Sequence, residues 1–174
     1  MKKALKFAGL FAFVLALVGF ILLMASHSIA HDYEVLGSKV HDWYSGTAAI
    51  FGKGNAVLLG TSGEFEGSLA WSALLSWIFS LVAMLILCMG VVLPLLKVKA
   101  LEKIAGLLNL IAVGLLVVGG VFAFLTKGAF AAANEYDLAD WTLGAGWVIA
   151  GILFILAGLV AIAPAAVDFL GKKK

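Results

Sequence analysis

The sequence predicts an all-α membrane protein: a four-transmembrane-helix bundle of two parallel helical hairpin repeats, with a small β-hairpin in the first extracellular loop. Three observations predict it. The 174 residues are 64% apolar and 13% charged, with a mean hydropathy of +1.13, outside the range of soluble globular domains. Four stretches, about Leu5–Ala25, Leu69–Leu93, Ile104–Leu125 and Leu143–Ala163, each supply the roughly 20 apolar residues needed to cross about 30 Å of hydrocarbon. Trp71, Trp77 and Pro94 return as Trp141, Trp147 and Pro164, shifted by seventy residues with the same internal spacing.

The first span begins behind Met1-Lys2-Lys3, and Ser28-Ile29-Ala30 has the look of a small-residue cleavage site. Its apolar run exceeds the roughly 7–15 residues of a signal-peptide core. In addition, Lys6-Phe7-Ala8-Gly9-Leu10 recurs as Lys103-Ile104-Ala105-Gly106-Leu107 in the third span. The first span is therefore read as uncleaved. The chain is one integral membrane domain, 1–174, with repeats over 1–98 and 99–174 and a long outer loop over 26–68. Continuous apolar runs, rather than alternating ones, exclude a transmembrane β-barrel.

Lysines set the orientation. Lys2, Lys3, Lys6, Lys97, Lys99, Lys103, Lys172, Lys173 and Lys174 fall on one side of a four-span chain, against Lys39, Lys53 and Lys127 on the other. Cytoplasmic loops carry the basic excess, which predicts a multi-pass protein of the plasma membrane with both termini cytoplasmic. Eight of ten acids fall outside: Asp32, Glu34, Asp42, Glu64, Glu66, Glu135, Asp137 and Asp140. The basic side can meet anionic lipid headgroups, and nucleic acid is not an expected partner.

Within the second span, Ser68, Ser72, Ser76 and Ser80 recur every four residues, and the same face continues to Met84 and Cys88. Residues four apart share a helix face, so Ser72, Ser76 and Ser80 line either a packing seam or a path. Ala8, Ala12 and Ala16 in the first span, with Gly106 and Gly114 in the third, are the expected close-packing positions. Asn109 is a polar residue within a span, read as an interhelical clamp or part of the same path. No Asp, Glu, Lys, Arg or His lies mid-span, which argues against a proton- or ion-driven pump. Cys88 is the lone cysteine and can form no disulfide within the chain.

The outer loop offers two runs, Ala48-Ala49-Ile50-Phe51 and Ala56-Val57-Leu58-Leu59, around Gly52-Lys53-Gly54-Asn55. This predicts the β-hairpin, with Val35-Leu36 as a possible third strand. Trp43, Phe51 and Leu58 are the expected contact residues of this loop. His27 and His31 would share a face if the first helix continued outward. With His41, they form a candidate zinc-ligand set, imidazoles beside carboxylates, although the spacing matches no established zinc motif. The His-Asp-aromatic step at His31-Asp32-Tyr33 recurs at His41-Asp42-Trp43.

Four spans, inside termini, a long first outer loop with strand-like runs and a short second loop resemble the claudin-like tetraspan proteins. Claudins carry a Trp-Gly-Leu-Trp element and a cysteine pair in that loop. Here Trp43 alone remains and both cysteines are missing, so barrier or pore function does not carry over. The Lys-Ala-Leu-Glu-Lys stretch at 99–103 is similar in texture to small uncharacterised four-span proteins of Gram-positive bacteria. Membrane enzymes need a nucleophile, a metal set or paired acids at one depth. None is convincing, and no catalytic residue or cofactor is expected. The expected function is non-enzymatic: protein contact, as a self-associating protein or an accessory subunit of a cell-envelope membrane complex. The alternative is a small transporter or channel subunit with a path lined by the serine face and Asn109.

Overall fold

The computed structural model describes residues 2–92 and 99–170, with side chains described over 7–90 and 107–163. The chain is mostly helical. Its elements run α1 (Lys2–Ala25), β1 (His27–Val35), β2 (Ser38–Ser45), α2 (Gly46–Phe51), β3 (Lys53–Leu58), β4 (Thr61–Glu66), α3 (Trp71–Val92), α4 (Lys99–Phe124), α5 (Thr126–Asn134), β5 (Thr142–Leu143) and α6 (Ala145–Leu170). Four of these helices are long and apolar enough to cross a membrane, over Phe7–Ala25, Trp71–Gly90, Leu107–Phe124 and Ala145–Ala163. α4 packs against α3 and α6, and α1 packs against α6 and α3. The connections place the ends of α1 and α4 and the starts of α3 and α6 together, beneath one antiparallel sheet of order β4-β3-β2-β1-β5.

Small residues set the helix contacts. Ala12, Ala16 and Gly19 of α1 are buried, as are Gly119 and Gly120 of α4. A Cβ on Gly120 would lie 2.7 Å from the Gly151 carbonyl oxygen of α6, and one on Gly119 would lie 3.5 Å from the Ser76 carbonyl oxygen of α3. Without a hydrophobic drive between helices in lipid, this close approach supplies dispersion contact instead. Gly114, an expected packing position, is exposed with open space around it; α4 uses instead the pair Gly119 and Gly120, about one and a half turns later. Gly106 and Pro94 lie outside the described side chains. α6 continues through Pro164 to Leu170, past the expected end of the fourth span at Ala163.

The outer loop differs from expectation in an instructive way. Residues 46–51 form α2, not the first strand of a hairpin. Ser45 caps the helix by accepting from the Ala48 N–H at 3.2 Å, and Gly52 stops it in the left-handed region at φ 71. Those are standard start and stop signals, and they outweigh the β-propensity of so short a run. Ala48, Ala49 and Ile50 are then wholly buried. The hairpin lies downstream, β3 with β4, closed at Leu59-Gly60. A second hairpin, β1 with β2, turns at Leu36-Gly37, so Val35 ends a strand and Leu36 sits in the turn. α1 stops at Ala25, and the histidines lie in strands. The short second loop contains α5 and β5, and Trp141 lies there rather than on α6.

Gly46 offers a test of how the sheet is seated on the helices. Its N–H donates to the Ser26 carbonyl at 2.9 Å, and a Cβ there would overlap the Leu23 carbonyl oxygen. Alanine at a helical position gains about 0.5–1 kcal/mol over glycine, whereas overpacking against a backbone atom costs on the order of 1–3 kcal/mol. Gly46→Ala should therefore lower the thermal unfolding midpoint in detergent. A midpoint equal to or above the parent's would contradict this seating.

Candidate interaction surface

The sheet has two unlike faces. Along β1 and β2, His31 pairs with Asp42 and Asp32 with His41, so the repeated His-Asp step forms two neighbouring rungs. Strand side chains alternate, and a bulge between His27 and Ile29 moves His27 to the opposite face from His31. One face thus carries His27, Asp32, His41 and Trp43. Trp43 stacks on His27 with ring centres 4.0 Å apart, and the His41 Nδ1 meets the Asp32 carboxylate at 2.5 Å. Lys53 and Glu66 form a cross-strand ion pair at 3.0 Å, both well exposed.

The other face is covered by α5 and the segment after it. Tyr44 is buried, with ring centres 5.2 Å from Phe65, 4.9 Å from Phe130 and 5.5 Å from Trp141. Burial, then Tyr136 and Asp42, pushes the Tyr44 phenol up to about 12, so it remains a neutral part of this aromatic core. His31 stacks on Trp141 and donates from Nδ1 to the Asp140 carbonyl at 2.9 Å. Its ring therefore ties β1 to the second outer segment. Asn134 does the same from α5: its Oδ1 accepts from the Ser68 N–H at 2.8 Å and its Nδ2 donates to the Ser68 carbonyl at 2.9 Å.

The three imidazoles do not converge. His27 and His41 lie 5.6 Å apart by ring centres, with His31 on the reverse of the sheet. Among the described residues, no group of three or more His, Cys, Asp or Glu is placed to hold a metal ion. The bulge is the physical reason, and the sequence does not announce it.

The expected contact residues do not form one patch. Trp43 is partly buried beneath His27, Leu58 is 41% exposed on the other face, and Phe51 is 44% exposed at the end of α2, edge-on to Trp77 at 5.3 Å. The most exposed apolar side chains are ones the sequence reading passed over: Leu36 at 102% and Leu59 at 82%, each in a hairpin turn. The signal was a Leu-Gly step between two strand-like runs, hidden because these turns normally carry Asn-Gly or Asp-Gly.

Ser72, Ser76 and Ser80 are wholly buried on α3. Ser68 precedes that helix, and Cys88 is exposed. Asn109 faces α3 near its far end, where a Cβ on Gly90 would lie 2.9 Å from its Oδ1. Ten residues separate Ser80 from Gly90, or about 15 Å along the helix, so serines and asparagine are not neighbours.

Asp42 is the buried anchor of the outer layer. Its carboxylate accepts from the Leu59 N–H at 3.0 Å, the Gly60 N–H at 3.3 Å and the Tyr33 hydroxyl at 3.1 Å, joining one hairpin to the turn of the other. No protein-family model matches the chain, and no curated sequence matches it closely enough to count as a relative.

Two outcomes follow. Hydrogen bonds to a charged group contribute about 1.5–3 kcal/mol each, so Asp42→Ala should strip the Leu59 and Gly60 amides of exchange protection. Protection equal to the parent's would discount the anchor. His27 is held below its usual 6.5 by burial, then by His41. The unfolded chain therefore binds its proton first. Stability is present above about pH 6.5 and falls as pH drops toward the folded value. His27→Phe keeps a ring on Trp43 and should flatten the parent's loss of melting temperature below that pH; an unchanged profile would show that His27 is not its source.

Proposed function

We propose that this is a non-enzymatic multi-pass protein of the plasma membrane, with cytoplasmic termini, that acts by protein contact through its outer sheet. It either self-associates or serves as an accessory subunit of a cell-envelope complex. The fold behind this reading is a four-helix bundle of two parallel hairpin repeats, 1–98 and 99–174, claudin-like in topology. Support for the repeat comes from Trp77 and Trp147, equivalent in sequence and each in the first turns of a helix leaving the sheet.

One observation carries the contact reading. Both hairpins end in a Leu-Gly turn with positive φ at both residues: 52 and 79 at Leu36-Gly37, 52 and 73 at Leu59-Gly60. A left-handed leucine costs roughly 1–2 kcal/mol, and its full exposure returns nothing in burial. Val35 at 46% and Leu58 at 41% extend the apolar character of the two tips. Strained residues persist where function needs them, and exposed apolar groups at the end of the sheet away from the helices favour docking on another protein.

The transporter reading has one supporting observation, the unpartnered hydroxyls of Ser72 and Ser76. Below Ser80, however, the buried positions of α3 are Ala83, Met84 and Leu87, which offer no polar continuation toward Asn109.

Asparagine tolerates the left-handed region that leucine resists. The double variant Leu36→Asn, Leu59→Asn should therefore melt at or above the parent temperature while losing the parent's assembly in mild detergent by tenfold or more. An assembly that survives both substitutions, or a parent that purifies as a lone 18.2 kDa chain without companions, would overturn the reading.

A further inference from the structure

The interior of the helical layer contains polar groups that no protein atom satisfies. Ser72 and Ser76 of α3 and Trp147 of α6 are wholly buried, yet their Oγ and Nε1 atoms have no hydrogen-bond partner. Ser80, on the same stripe, donates to the Trp77 carbonyl at 3.0 Å. A buried indole N–H ordinarily finds an acceptor, and an indole cannot turn back on its own helix backbone as a serine can.

α3 and α6 each pack on α1 and α4, and helix geometry turns these three groups toward the interior between them. Phe154 of α6 sits between α1 and α4: a Cβ on Gly19 would lie 2.8 Å from its ring, and one on Gly120 3.4 Å from its Cβ. Trp147 is seven residues earlier, on the same face of α6 and two turns nearer the sheet. On α3, Trp77 is directed to α1, its ring 6.0 Å from Phe20, while Phe79 is directed to α4, its ring 5.8 Å from Phe122. At 100° per residue, Ser72 and Ser76 fall between those two directions, toward the interior. α3 begins at Trp71 and α6 at Ala145, both at the sheet end, so the serines and the indole share a depth.

This polar zone is closed. Toward the sheet lie the wholly buried Ala48, Ala49 and Ile50, and toward the far end Ala83, Met84, Leu116, Ala157 and Ala161.

We infer that bound water bridges Trp147 Nε1 to the hydroxyls of Ser72 and Ser76. Water accepts from the indole while giving to and taking from the hydroxyls, which meets the usual requirement of two to four polar partners. The serine stripe is then a hydration site, with no substrate moving along it.

The test is magnetic resonance on the full chain in micelles, labelled at the indole nitrogens, with the Trp147 signal assigned by its loss in Trp147→Phe. The Trp147 indole proton should show cross-relaxation with long-lived water. That signal should persist in Ser72→Ala and in Ser76→Ala, where two partners remain, and disappear in the double variant with a shift of the indole resonance. No water signal in the parent would overturn the inference, as would a signal lost in one single variant, which marks direct relay through that hydroxyl. Neither result bears on assembly through the hairpin tips.

Discussion

Backbone hydrogen bonding at the end of α1 is the constraint on which the outer layer depends. Between Ser26 and Ser28 the chain changes from helix to strand, and three other segments arrive there. The Ser26 carbonyl accepts from the Gly46 N–H, and the Ser28 carbonyl from the Gly144 N–H, both at 2.9 Å. The buried Ser28 hydroxyl donates to the Tyr44 and Ser45 carbonyls at 3.1 and 3.0 Å. Orphaned backbone groups are costly where water is scarce. This bend therefore has to be closed by backbone from α2 and from the start of α6. Closure at that range excludes side chains: Cβ atoms on Gly46, Gly144 and Gly146 would run into Leu23, His27 and Ser26.

With the bend closed, the sheet's two faces take different partners. The covered face packs Tyr44, Phe65 and Phe130 together, while the open face carries the polar side chains of Asp32, His41, Lys53 and Glu66. Edge strands invite unwanted pairing. β5 is two residues long, and β4 bears Glu64 and Glu66 on its open face. Apolar exposure is greatest instead at the turns, where Leu36 and Leu59 sit and the Asp42 carboxylate holds the second tip from beneath. Rigid support under an exposed leucine is what a contact element requires, since ordering a loose loop on binding would cost affinity.

Much of this was legible in the sequence, and the failures have particular causes. The four long apolar helices follow from hydropathy because lipid leaves the backbone no alternative. The outer segment obeys weaker rules. Residues 48–51 read as strand by composition, but Ser45 and Gly52 are cap signals seven residues apart, and tertiary burial of Ala48, Ala49 and Ile50 decided in favour of a helix. The His-Asp repeat was noticed as a pattern of ligands when it was the register of a hairpin: positions 31 and 42, and 32 and 41, are rungs. A single bulge then separates the imidazoles, and no composition rule predicts a bulge. Gly114 failed for another reason. Gly114 is small but faces away from the neighbouring helices, whereas the contact needs the adjacent pair Gly119 and Gly120, one toward α3 and the other toward α6.

The described interior contains no continuous polar path. Moving a solute through four helices requires polar groups spaced along the whole thickness, and side chains able to reposition between them. Here the buried serines end at Ser80, and among the described residues Ala83, Met84 and Leu87 of α3 separate them from Asn109 near Gly90. The glycine contacts oppose sliding as well: at Gly120 and Gly151, backbone meets backbone closely enough that even a methyl group would not fit. A short serine stripe flanked by apolar side chains and held by such contacts stays local to the sheet end. Variation between two states would have to come from the outer layer, where the hairpin tips extend beyond any helix contact.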